Sequence, residues 1–268
     1  MIGRLLQFLS RVIVISALIS VLTVSGIYVW LSEDLPQLPQ SLEHINLSLP
    51  TEIYSADGER IKVLGERYPV NIEDISPYFL KAIIAVEDAR FYSHNGIDHR
   101  ALIRALIANF RTKKIVQGGS TITQQLSKNL FFSFERNWVR KIKELLVAFQ
   151  LEVTFGKEQI LEAYSNQIYF GSGAYGIEEA SQTYFKSRAR DLTLLQAAML
   201  AGLPNSPNNA NPFVHFEKAM KRANFILKRM VSENLISSSE REAALNSRID
   251  LASPKVESNP NLYFVDEV

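Results

Sequence analysis

From Val12 to Ser32 the chain runs VIVISALISVLTVSGIYVWLS without one charged residue. No other feature restricts the fold so strongly, because about 20 consecutive apolar residues wound as a helix match the ~30 Å hydrocarbon layer of a bilayer. Arg4 and Arg11 precede the run and Glu33 and Asp34 follow it. By the positive-inside bias this sets the N-terminus in the cytoplasm and the rest of the chain outside. Tyr28 and Trp30 stand where an interfacial aromatic belt would lie. A cleaved signal peptide is the rival reading, but the run is long for one and no clear small-x-small site precedes Glu33. Residues 1–32 are expected to form a cytoplasmic tail and a single transmembrane anchor.

The remainder has the material of a folded domain. A hydrophobic content of 47% over 268 residues supports one sizeable core or two small lobes. With 29 Lys and Arg against 28 Asp and Glu, the net charge of +1 points to no nucleic-acid partner, so any phosphate site must be a local cluster. The absence of cysteine excludes disulfides and thiolate chemistry, and the four histidines lack paired ligand spacing for zinc. Residues 33–50, EDLPQLPQSLEHINLSLP, carry three prolines and read as an extended spacer holding a domain off the bilayer. TEIYSADGERIKVL then alternates on either side of Asp57-Gly58, the pattern of a short β-hairpin. Ser76-Pro77 serves as cap and first residue of a helix, and further helices are predicted at 99–111, 120–130, 137–154, 157–165, 173–184, 193–202 and 216–233. The fold class is mostly α.

Three stretches carry residue types suited to chemistry. AIIAVEDARFYSHNG ends an apolar helix on Glu87 and Asp88. Such acids commonly cap helices, but a carboxylate set against apolar walls also gains proton affinity and suits general-base work. GGSTITQQLSKN places two glycines before hydroxyl and amide side chains and Lys128, either a loop capping a polar helix or a surface for a polyhydroxylated ligand. ERNWVRKIKELL gathers Arg136, Arg140, Lys141 and Lys143 near Glu144. An ordinary i,i+4 ion pair, Arg140 with Glu144, explains part of it. Taken singly, each stretch is explained by a structural role.

In this order and spacing, however, they resemble the peptidoglycan glycosyltransferase (transglycosylase) family, found as the first domain of class A penicillin-binding proteins and as monofunctional transglycosylases. EDARFYSHNG fits E-D-x-x-F-x-x-H-x-G, GGSTITQQLSKN fits G-G-S-T-[IL]-T-Q-Q-x-x-K-N, and RKIKE fits R-K-x-x-E. KEQILEAYSNQIYFG and LLQAAMLAGLPNSP resemble two later family blocks, so the likeness runs from about Thr51 to Arg229. Three positions depart from the family pattern: Ser165 for leucine, Gln196 for an acid, and Lys186 where glycine is usual.

The resemblance implies a lysozyme-like, two-lobed glycosyltransferase domain over 51–250, with a linker-like tail over 251–268. It implies polymerisation of lipid II with inversion at the anomeric carbon and release of undecaprenyl pyrophosphate, in bacterial cell wall synthesis. Glu87 would be the general base. Glu144 matches the family's second functional acid, with two roles open: holding a divalent cation, Mg or Mn, or orienting the basic residues. Lys128, Arg136, Arg140 and Lys141 would neutralise the departing pyrophosphate, while Gly119, Ser120, Thr121, Gln124 and Gln125 would contact substrate. Asp88 and His94 would support the base. Phe131, Phe132, Phe134 and Trp138 are candidates for the headgroup layer. No organic cofactor is implied. The expected partners are lipid II, the growing glycan strand, the membrane and a cell-wall synthesis complex, at the outer side of the bacterial cytoplasmic membrane. NPNLYFVDEV resembles the linker to a transpeptidase domain, and no S-x-x-K or K-T-G motif follows. A lysozyme-like glycan-cleaving enzyme and an inactive membrane-anchored assembly protein are the alternatives.

Overall fold

The computed structural model describes residues 2–32, 34–42, 51–58, 60–64, 67–113, 118–132 and 137–253. Ten α-helices dominate the described residues: α1 Ile2–Ser32, α2 Pro77–Glu87, α3 His99–Thr112, α4 Ile122–Phe131, α5 Trp138–Thr154, α6 Lys157–Gln167, α7 Ile177–Phe185, α8 Leu194–Ala201, α9 Phe216–Ser232 and α10 Ser238–Asn246. Between α1 and α2, strands β1 (Thr51–Tyr54) and β2 (Arg60–Leu64) pair antiparallel, with Thr51 opposite Leu64 and a register shift at Ile53/Tyr54. Gly58, at φ +85°, donates its N–H to the Ser55 carbonyl and closes the turn.

Helix α8 explains the arrangement. All of its residues except Gln196 are buried, so it must be enclosed by other elements. It packs against α2 and α9, which also pack on each other, while α4 packs against α5 and α6. These two groups face one another across the cleft described below. Thr193 caps α8 and Gln196 returns a hydrogen bond to it, a capping box that glutamine completes as well as an acid would. The departure at Gln196 is thereby absorbed. Ser165, fully buried, donates to the Leu161 carbonyl within α6 and needs no outside partner.

Several expectations are corrected. The helix predicted from 173 begins at Ile177, because Gly171, Ser172, Gly173 and Gly176 all adopt positive φ. Gly176 has no substitute there: a Cβ would sit 2.8 Å from the Asn166 carbonyl oxygen. Ser76 stands at the N-cap of α2, yet its hydroxyl donates to the Leu192 carbonyl instead of capping. Helix α10 was not predicted, although its Ser237/Glu240 capping box is written in the sequence. The proline-rich segment does not stand away from the domain over its described part, 34–42. Leu42 is 7% exposed, Leu35 and Leu38 pack on the core, and Asp34 pairs with Lys143 on α5 at 3.0 Å. Its apolar spacing finds a surface, and its prolines keep the backbone extended without unmet donors.

Helix α1 covers the uncharged run, and its described side chains are exposed. Among the described residues no helix is long and apolar enough to cross a membrane. The expected transmembrane helix is thus not shown, and the side chains of Tyr28 and Trp30 lie outside the described residues, as do residues 43–50 and the tail from 254.

Lys186, where the family carries glycine, closes α7 in the left-handed region at φ 54°, ψ 32°. A side chain there is strained, and glycine removes the strain at the price of some unfolded-state entropy. Lys186→Gly is expected to stabilise the fold by about 0.5–1 kcal/mol, read as a raised midpoint in denaturant unfolding.

Candidate active site

Two adjacent acids at a helix C-terminus oppose the helix dipole, so both need donors from elsewhere. Glu87 is the last residue of α2, and Asp88 leaves the helix at φ −157°. The buried Asp88 carboxylate accepts from His94 Nε2 at 2.9 Å and from the backbone N–H of Ile122, the first residue of α4, at 3.1 Å. The negative end of α2 therefore meets the positive end of α4. Glu87 turns into the cleft and accepts from Gln125 Nε2 at 2.8 Å and from Asn205 Nδ2. Burial pushes its carboxyl above the ordinary value, outweighing those two donors and the charges of Arg222 and Arg229, which pull it down.

The cleft has a volume of about 810 Å3 and is lined by Glu87, the loop 118–121, Gln125 and Lys128 of α4, Asn205, and Arg222, Phe225 and Arg229 of α9. Gly119 lets the loop pass close to α3, since a Cβ would lie 3.1 Å from Leu102 Cα. Ser120 sits 3.4 Å from Lys141 Nζ. Thr121 donates to the Gly96 carbonyl and caps α4 through Gln124 N, and Gln124 Nε2 reaches the same carbonyl. Of the residues expected to contact substrate, Thr121 and Gln124 spend polar groups within the protein, while Asp88 and His94, expected to support the base, bond to each other. Gly119, Ser120, Gln125 and Lys128 line the cleft.

On α5, Glu144 is 1% exposed and lies 3.0 Å from Lys141 Nζ and 3.3 Å from Arg140 Nε. Divalent cations need several oxygen ligands. Among the described residues no group of three or more His, Asp or Glu could hold a metal, and the Glu144 oxygen without a hydrogen-bond partner, Oε1, faces Arg140 while Oε2 is taken by Lys141. These residues do not fit a resident divalent cation. They fit the other role, a buried counter-charge holding Arg140 and Lys141 in place. Arg136 and Phe134 lie outside the described residues. Phe131, Phe132 and Val139 line a shallow hollow with Arg140 and Lys143, and Trp138 beside it is 86% exposed.

Sequence reasoning missed the second cationic wall. Arg222, Phe225 and Arg229 share one face of α9, but their spacing alone does not tell which face fronts a cleft. Gly202 makes room for that wall, because a Cβ there would meet Arg222 Cγ at 2.7 Å. Asn205 lies within LPNSP, a stretch whose sequence gives no sign that it reaches Glu87.

A family model described as Transglycosylase matches residues 57–231. The chain belongs to that family, the peptidoglycan glycosyltransferases of class A penicillin-binding proteins. It is 48% identical to penicillin-binding protein 1A of Aquifex aeolicus over 210 residues, covering 78% of this chain and 29% of that protein. It is 44% identical to penicillin-binding protein 1A of Neisseria gonorrhoeae over 218 residues (80% and 27%) and 40% identical to that of Pseudomonas aeruginosa over 249 residues (92% and 30%). The crystal structure of penicillin-binding protein 1A from Haemophilus influenzae aligns with a TM-score of 0.48 at 26% identity, covering 83% of this chain and 24% of that one. The chain thus spans less than a third of the length of these relatives.

The raised Glu87 carboxyl has a consequence for stability. The folded state holds the Glu87 proton more tightly than the unfolded state, so stability is lost as pH rises from the ordinary carboxylate value through the folded one. Glu87→Gln removes that loss, with the exposed Asn205 amide turning to face the new side chain. The stability advantage of Glu87→Gln over wild type should grow with pH across this window and then level off, as read from denaturant midpoints between pH 4 and 8.

Proposed function

We propose that the chain polymerises lipid II, transferring a disaccharide-peptide from undecaprenyl pyrophosphate to an acceptor sugar hydroxyl with inversion at the anomeric carbon. The observation that carries this reading is Glu87: a carboxylate with raised proton affinity, open to a cleft walled by cations on both sides. The acceptor oxygen attacks the anomeric carbon as Glu87 takes its proton, and the bond to the pyrophosphate oxygen breaks with its electron pair. Lys128 and Lys141 stand on one side of the cleft, beside Ser120, where that leaving charge would be met. Arg140 extends the same cationic surface along α5. A glycan-cleaving enzyme of the lysozyme type would have no pyrophosphate for these cations to neutralise.

The anchor belongs to the same reading. The uncharged run Val12–Ser32, with Arg4 and Arg11 before it and Glu33 and Asp34 after it, supports on sequence grounds a single pass through the bacterial cytoplasmic membrane. The docked segment 34–42 then keeps the domain close to the outer bilayer face, where α3 turns Leu102, Ile103, Leu106 and Phe110 outward.

Single-turnover reaction with labelled lipid II tests the proposal. Glu87→Gln should lower the rate by about 10²–10⁴-fold while the protein stays folded and still binds lipid II. Substantial muramidase-sensitive polymer from the folded variant would overturn it. Lys128→Ala should slow the same step with partial rescue by arginine, since it removes a charge-assisted contact to the leaving group. A wild-type rate would reduce the loop and α4 to scaffold. Glu144→Gln should give a smaller defect that added divalent metal does not alter.

A further inference from the structure

Glu87 is held by an amide whose two ends look alike in shape and opposite in chemistry. Gln125 can help a carboxylate only if its Nε2 faces Glu87, because the reverse orientation sets an oxygen against an anion. Something must fix that choice. On the far side of the amide, the hydroxyl of Tyr164 donates to Gln125 Oε1 at 3.1 Å. Tyr164 projects from α6 and is fully buried, with 0% exposure. Burial, together with the charges of Glu87 and Asp88, holds its hydroxyl well above the ordinary tyrosine value, so it remains a donor at every working pH.

We propose that Tyr164 is a positioning residue that acts through Gln125: its hydroxyl locks the amide so that Nε2 faces Glu87, keeping the carboxylate ionised and aimed into the cleft. The inference rests on the reading of Glu87 as the base and adds a residue that touches neither substrate nor reacting atoms. The geometry runs Tyr164 Oη to Gln125 Oε1, then Gln125 Nε2 to Glu87 Oε2, with Asn205 on the other carboxylate oxygen. Asn205 is exposed and can turn, so the half-buried Gln125, backed by the fully buried Tyr164, supplies the fixed donor. The other charged groups bearing on Glu87 are Asp88 beside it, Lys128 on α4, Arg222 and Arg229 on α9, and Arg90, Arg104 and Glu233 around the cleft. None of these contacts Tyr164 through a hydrogen bond, so a change at Tyr164 isolates the relay.

The test follows the protonation of Glu87 without relying on turnover. A water-soluble carbodiimide modifies protonated carboxyls, and its reaction at Glu87 is followed against pH by mass spectrometry of the full chain in detergent, with Glu87→Gln identifying the signal against neighbouring Asp88. Tyr164→Phe removes one oxygen from a buried ring and leaves Gln125 Oε1 without its donor. The Glu87 midpoint should move upward by about half to one pH unit, and the acid limb of kcat/KM for lipid II polymerisation should move with it, with the high-pH plateau within a few-fold of wild type. In a Gln125→Met background, Tyr164→Phe should add no further shift. No shift from Tyr164→Phe, or the same shift without Gln125, overturns the relay. If Tyr164→Phe fails to unfold cooperatively, Gln125→Met alone must raise the midpoint, and an unchanged midpoint there overturns it equally. A shifted midpoint with an unmoved kinetic limb keeps the relay and instead removes Glu87 as the base.

Discussion

The joint between α2 and α4 governs this protein. Asp88 accepts from His94 and from the first backbone N–H of α4, so the unfavourable end of one helix is neutralised by the favourable end of another. That contact sets where α2 stops, and hence where Glu87 sits. It also sets where α4 begins, and hence where Gln125 and Lys128 point. Behind it, Lys157 donates to the His94 carbonyl and to Glu152, and Glu152 accepts from Thr123 on α4. The joint is clamped from its rear by groups that never reach the cleft.

With that frame rigid, the electrostatics of the cleft divide by task. Glu144 is buried and matched by Arg140 and Lys141, an arrangement that orders cations at the cost of desolvating an acid. Glu87 is half-buried and hydrogen-bonded by the neutral amides of Gln125 and Asn205, and burial raises its proton affinity against the pull of those donors and of Arg222 and Arg229. Two acids of the same type acquire opposite characters from what their neighbours donate.

Segments outside the cleft serve its placement. The strap 34–42 seats Leu42 in the core and ties Asp34 to α5, the helix that carries Arg140, Lys141 and Glu144. The end of α1 is therefore joined to the cationic surface by a short docked segment instead of a free tether. The three departures from the family pattern all lie away from Glu87. Gln196 completes a cap, Ser165 bonds within its own helix, and Lys186 bears a strained turn.

Much of this was written in the sequence. Helical periodicity with Ser, Thr, Asp and Asn starts located most helices to within a residue or two, because capping and amphipathicity are local. The family resemblance singled out Glu87, Lys128 and Glu144. What local pattern could not carry was direction. Positive φ at 171–173 and 176 delays α7 through packing against Asn166 and Pro207, contacts absent from the segment itself. Likewise, the sequence placed Thr121, Gln124 and Gln125 in one polar run, yet only folding sends Gln124 to Gly96 and Gln125 to Glu87. Arg222 and Arg229 become part of the cleft only because α9 packs on α8 and α2. Residue identity and spacing determined which chemistry was present. Tertiary structure decided which groups share it, because burial and hydrogen-bond pairing depend on neighbours distant in the chain.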